Sequence, residues 1–214
     1  MSYLNMEEEK IREYMEKVAG GYSDPLVGLF RMKLRGHKDY FENELKEKRL
    51  IDLGCGKIFG CGLGRTLLAR GLREYIGVDP FNVETHSSGE NDSYVRADGL
   101  SYLLAQPDNS ALIMANAVLD TGILRGRMNS FLEPISVFER KDELAGEYEE
   151  NLTKEIYRVV PKNGIFMGLK VYPHYANRLI SLGFEMDEQN PTFSPFEEDR
   201  KDPDNYSVLV LRKK

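Results

Sequence analysis

Apolar residues along this chain come in short solid runs, each ending on a polar residue or a glycine, with amphipathic stretches between them. Arg49-Leu50-Ile51-Asp52-Leu53 runs into Gly54-Cys55-Gly56, a buried strand entering a glycine turn. A glycine-rich stretch, Lys57 to Gly64, follows, and Arg65 to Arg70 then begins a helix pattern. Tyr75-Ile76-Gly77-Val78 reads as a second strand ending at Asp79. Pro80 to Ser93 is polar and lacks period, which predicts a loop. Tyr94 to Ala97 is a short third strand before Asp98-Gly99, and Leu100 to Gln106 a short helix. Ala111 to Ala115 makes a fourth strand ending at Asn116. The segment Asp120 to Arg140 is irregular, and Asp142 to Val159 has the spacing of a long helix. A fifth strand spans Ile165–Leu169, a helix His174–Leu182, a sixth strand starts near Phe184, and the β-branched run Tyr206–Leu211 predicts a last strand.

Before the first strand the period is helical. Asn5 with Glu8 forms a capping-box pattern, and Ile11, Tyr14, Met15 and Val18 share one face. Gly20-Gly21 stops that helix, and Asp24-Pro25 starts another, whose apolar face is Leu26, Phe30, Leu34, Phe41 and Leu45. The expected organisation is a helical cover over residues 1–48 and one compact α/β unit over 49–214. Alternating strands and helices imply a mostly parallel sheet covered on both faces. The last two strands are separated by a turn-rich segment rather than a helix, which permits an antiparallel hairpin at one edge.

Charge and composition narrow the partners. A net charge of −6 disfavours a duplex nucleic acid held by its phosphates. Cys55 and Cys61 are too few for a disulfide framework or a zinc quartet, so a cytoplasmic protein without a metal is expected. No apolar run approaches the roughly 18–20 residues needed to span a bilayer, and the acidic start MSYLNMEEEK is not a signal peptide.

Three strands end in an acid, Asp52, Asp79 and Asp98, and the fourth in Asn116. In a parallel sheet these carboxyl ends share one edge, where open α/β sheets bind ligands. Asp79 is placed to accept hydrogen bonds from two ribose hydroxyls, and Asp98 to take an adenine amino group. Gly54 and Gly56 let the backbone approach a ligand. Asp52 could face a ligand ammonium or hold the turn.

The ordered segments LIDLGCG, YIGVDP, YVRADG, ALIMANAVLD and EIYRVVPKNGIFMGL resemble the motif set of the class I S-adenosylmethionine-dependent methyltransferases, over about Arg49 to Lys214. The resemblance implies a three-layer, Rossmann-like α/β fold: a mostly parallel seven-stranded sheet in the order 3-2-1-4-5-7-6 with the last strand antiparallel. It implies S-adenosylmethionine as cofactor. Asp52, Gly54, Cys55 and Gly56 would line its methionine part, Asp79 would bind the ribose, Asp98 and Gly99 the adenine, and Asn116 would sit beneath the methionine moiety. The chain departs from the family where the third glycine is expected, at Ile58, and in lacking a helix after the second strand.

The implied reaction is in-line methyl transfer, with Asn116 and Asp120 as catalytic candidates by position. The sequence after the fourth strand, Asn116-Ala117-Val118-Leu119, is not an Asn-Pro-Pro-Tyr motif, which points to a small-molecule acceptor. A non-catalytic binding module, an aminopropyl transferase on the same fold and a nicotinamide-dependent oxidoreductase remain alternatives. The last lacks the third glycine of its G-x-G-x-x-G turn. Simpler roles stand beside each assignment: the acids as turn formers, the two cysteines as small buried residues, His37, His86 and His174 as surface or capping groups, Tyr14 and Tyr22 as core, and Arg125 and Arg127 as solvated loop residues.

Overall fold

The computed structural model describes residues 43–55, 64, 67–79, 86–87, 90–116, 141–169, 173–187 and 208–214, with 86–87, 116, 141–145, 169, 173–174 and 208 described by backbone alone. The expectations for the helical cover up to residue 42, for Gly56 to Leu63 and for Asp120 to Arg140 lie outside these residues. The chain divides into two compact units, Met1–Ala97 and Asp98–Lys214.

In the first unit, β1 (Arg49–Leu53), β2 (Glu74–Val78), β3 (His86–Ser87) and β4 (Asp92–Val95) lie in the order β3-β4-β2-β1. β1 pairs parallel with β2, and β2 with β4. Leu50, Ile51 and Leu53 are fully buried, and Ile76 and Val78 nearly so, which is why β1 and β2 read as solid apolar runs rather than alternating ones. At the foot of the pair Arg49 stands opposite Glu74 in register, and the Arg49 Nε lies 3.0 Å from the carboxylate.

Two details differ from the sequence expectation. The third strand begins at Asp92 rather than Tyr94, because parallel pairing with β2 sets Asp92 across from Tyr75. A polar pair, Asp92-Ser93, thus occupies strand positions that an apolar-run criterion passes over. The stretch Pro80 to Ser93, expected to be a loop, contains β3, which pairs antiparallel with β4 through His86 and Ser87. Backbone pairing at an edge asks little of side chains, so a polar sequence gives no sign of it.

The second unit holds α1 (Gly99–Leu104), β5 (Leu112–Asn116), α2 (Lys141–Val159), β6 (Ile165–Leu169), α3 (Pro173–Ser181), β7 (Phe184–Met186) and β8 (Val208–Lys213), its strands in the order β5-β6-β8-β7. β5 and β6 are parallel, and β8 runs antiparallel to both β6 and β7, so the expected edge hairpin is present. α2 turns Leu152, Thr153, Ile156 and Val159 inward at three- and four-residue spacing. α3 opens on Pro173 and is followed by Gly183 at φ +115°, the usual proline-first, glycine-last arrangement.

Two cations, the half-buried Arg158 and the buried Lys213, tie helix ends in this unit. Arg158 of α2 donates to the carbonyls of Leu103 (2.7 Å) and Gln106 (2.8 Å) at the end of α1, and pairs with Asp108 and Glu155. Lys213 of β8, 8% exposed, donates to the carbonyls of Tyr157 and Val160 at 2.7 Å each, and to Asn109. These carbonyls lie at or just beyond the C-terminal ends of α1 and α2, where a cation complements the helix dipole. Among the described residues no helix is long and apolar enough to cross a membrane, and no cluster of three or more His, Cys, Asp or Glu could hold a metal.

Candidate functional site

In the first unit the turn after β1 is built from backbone. Gly54 adopts φ +74°, a left-handed conformation that glycine takes without a Cβ penalty, and its N–H donates to the Val78 carbonyl at 2.8 Å. Cys55 then tucks its side chain into the core at 2% exposure, as the plain packing reading expects. Asp79 follows β2 directly. Its N–H is held by the Val95 carbonyl at 3.2 Å, and the residue is 1% exposed. The ends of β1 and β2 are therefore fixed by neighbouring strands.

Asp52 is not an exposed strand-end acid. It lies within β1, 2% exposed, and accepts a hydrogen bond from the Tyr75 hydroxyl to Oδ2 at 2.6 Å. Its other oxygen, Oδ1, is buried and has no hydrogen-bond partner among the described residues. Burial pushes the Asp52 carboxyl up from 3.8 to about 7; the Tyr75 hydrogen bond opposes the rise, and the charge of Asp79 adds to it. Tyr75 is itself raised well above 10.0, first by burial and then by the Asp52 charge, so it remains a donor at ordinary pH.

One glycine makes room for the Tyr75 ring, and a second for the neighbouring Cys55 and Tyr94 side chains. A Cβ on Gly64 would fall 2.6–2.9 Å from three atoms of that ring. A Cβ on Gly77, which stands opposite Asp52 in register, would meet the Cys55 Sγ and the Tyr94 ring at 2.8 Å. Gly64 is helical, so it supplies the close helix-to-strand approach that the third glycine of such turns provides. Gly64→Ala is expected to destabilise the protein by about 1–3 kcal/mol through overpacking against the ring, read as a lower urea midpoint at unchanged slope.

In the second unit Asp98 is the N-cap of α1. Its Oδ1 accepts from the Ser101 N–H at 3.0 Å and from the Tyr148 hydroxyl at 3.4 Å. This is the capping use of an aspartate. Gly99 is the buried first residue of the helix. Asn116 closes β5 and is described by its backbone alone, while Gly56 and Asp120 lie outside the described residues.

The sequence reading did not single out Tyr75 or Tyr148. The available signal for Tyr75 was weak: an aromatic and a glycine two residues apart on one face of β2, beside a strand carrying an acid.

No protein-family model matches the sequence, and no curated protein does. Solved structures do. A proposed S-adenosylmethionine-dependent methyltransferase from Listeria monocytogenes superposes at TM-score 0.51 with 13% identity, over 85% of this chain and 100% of that one. A TehB-like S-adenosylmethionine-dependent methyltransferase from Corynebacterium glutamicum gives TM-score 0.48 and 16% identity, over 95% of this chain and 100% of that one. At such identities the likeness is one of fold, and the first superposition carries it. The fold is that of the class I S-adenosylmethionine-dependent methyltransferases. With the two-residue β3 set aside, its strands follow the order 3-2-1-4-5-7-6, mostly parallel, with the last strand antiparallel.

Proposed function

We infer that this protein binds S-adenosylmethionine and transfers its methyl group to a small-molecule acceptor. The observation that carries the reading is the pair of strand ends in the first unit. A left-handed Gly54 turn follows β1, and a carboxylate, Asp79, follows β2 at 1% exposure. On this reading Asp79 accepts the ribose hydroxyls, and its burial strengthens those bonds by excluding competing water. The Asp52 Oδ1 fits a ligand cation, because it is a buried acceptor with no donor among the described residues. The residues described in this unit therefore suit the cofactor that the fold implies.

When bound, S-adenosylmethionine supplies an electrophilic methyl group on a sulfonium. The protein's contribution is to hold donor and acceptor in line and to exclude water, an effect worth up to about 7–11 kcal/mol in well-oriented systems. Asn116 and Asp120 are assigned first to the acceptor side, on their place in the chain after the fourth parallel strand. A general base is required only where the acceptor must lose a proton.

Calorimetry with S-adenosylmethionine and S-adenosylhomocysteine tests the reading. Saturable binding of both is expected. Folded protein that binds neither compound would sink it, whereas binding without methylation of any of a broad panel of small amines, alcohols and thiols would make the protein a binding module.

A further inference from the structure

We propose that Tyr75 is a positioning residue for the cofactor's amino-acid end: its hydroxyl holds one oxygen of Asp52, the other is left to receive the cofactor ammonium, and that ion pair forms only as Asp52 gives up a proton. The proposal rests on the cofactor reading above.

The geometry leaves Asp52 little freedom. The Tyr75 hydroxyl sits 2.6 Å from Oδ2, and the ring that carries it is pinned by Gly64 and lies 6.0 Å, centroid to centroid, from Tyr94. The carboxyl cannot turn to find another donor without losing that bond. Oδ1 is buried and unpartnered, so the ionised form lacks a counter-charge among the described neighbours. Among the described residues, the titratable groups that face the pair are Asp79, Cys55 and Tyr94. Asp92 stands across from Tyr75 in register. None of these is a cation. Two neutral or acidic shells around a buried carboxyl retain its proton, in line with a carboxyl pushed up to about 7. A ligand ammonium brings the missing positive charge, and the proton leaves when it arrives. Tyr75 acts in the other direction: its hydrogen bond favours the ionised, binding-competent carboxylate.

The consequence is a coupling between pH and cofactor binding. Only ionised Asp52 accepts the ammonium, so affinity for S-adenosylhomocysteine is expected to rise up to tenfold for each pH unit between pH 5 and about 6.5, and to level off above 7. In Tyr75→Phe the ring stays and the hydrogen bond goes, so the levelling point is expected to move up by about one pH unit. In Asp52→Asn the pH dependence is expected to vanish, with weaker binding throughout. Methylthioadenosine, which keeps the adenosine and lacks the ammonium, is expected to bind the unaltered protein with no dependence over the same range.

Carboxyl carbon-13 NMR on the ligand-free protein gives a readout independent of binding and of activity. Asp52 is expected to titrate near neutrality, and higher in Tyr75→Phe. Titration of Asp52 near 4, or an identical midpoint in Tyr75→Phe, overturns the proposal. So does a pH-independent affinity for S-adenosylhomocysteine, which leaves the cofactor reading intact. Failure of folded protein to bind any S-adenosyl compound at any pH removes the cofactor reading and this proposal together.

Discussion

Asp79→Ala is expected to weaken S-adenosylhomocysteine binding by about 100-fold. Hydrogen bonds to a charged group contribute roughly 1.5–3 kcal/mol each, and two ribose hydroxyls on one carboxylate place the loss at about 3 kcal/mol or more. The backbone bond that fixes this position, from the Asp79 N–H to the Val95 carbonyl, does not involve the side chain and remains in the variant. Calorimetry measures the loss, and cooperative thermal unfolding of the variant shows that the fold is kept. A change below threefold in a folded variant would remove Asp79 from the ribose.

Asp52→Asn is expected to change how stability depends on pH. The folded-state value of about 7 lies above the ordinary 3.8, so between these values the native state holds a proton that the unfolded chain has released. Stability from this group is complete below about pH 4, falls as pH rises toward 7, and is flat beyond. The slope is about 1.4 kcal/mol per pH unit, and the whole decline about 4 kcal/mol. Asparagine is neutral throughout and can still accept from Tyr75. The stability difference between the two proteins should therefore move by about 3–4 kcal/mol in favour of asparagine between pH 4 and pH 8. Urea titrations at both values measure it; other titrating groups cancel in the difference. A difference that stays constant means that Asp52 titrates as an ordinary aspartate.

Both expectations concern residues visible in the sequence, but they were visible to different depths. The fold was legible because its signals are local. Solid apolar runs at β1, β2, β5 and β6 are what parallel strands buried on both faces require, and the turn-rich sequence before β8 foretold its antiparallel course. Asp79 was legible for the same reason, as an acid directly after a solid run. The environment of Asp52 was not. Its upward shift comes from burial, and the hydrogen bond that opposes the shift comes from Tyr75, a partner 23 residues away that reaches it across the β1–β2 pair. No local pattern encodes that contact. Asp98, read in the sequence as a strand-end acid, forms the N-cap of α1 and accepts from the Ser101 N–H. β3 escaped detection because two backbone-paired residues leave no hydrophobic trace.

The insertion of β8 between β6 and β7 has a consequence during synthesis. β6 and β7 emerge from the ribosome before Val208, yet neither can pair on its β8 side until that segment has been made. Through that interval Phe166 and Met167 flank an open hydrogen-bonding edge, the kind of surface to which other nascent strands add. The Lys213 ammonium, which closes the end of α2, arrives later still. Stalling translation just before residue 208 would thus leave a chain dependent on chaperones, with its parallel strands formed and its edge unsealed.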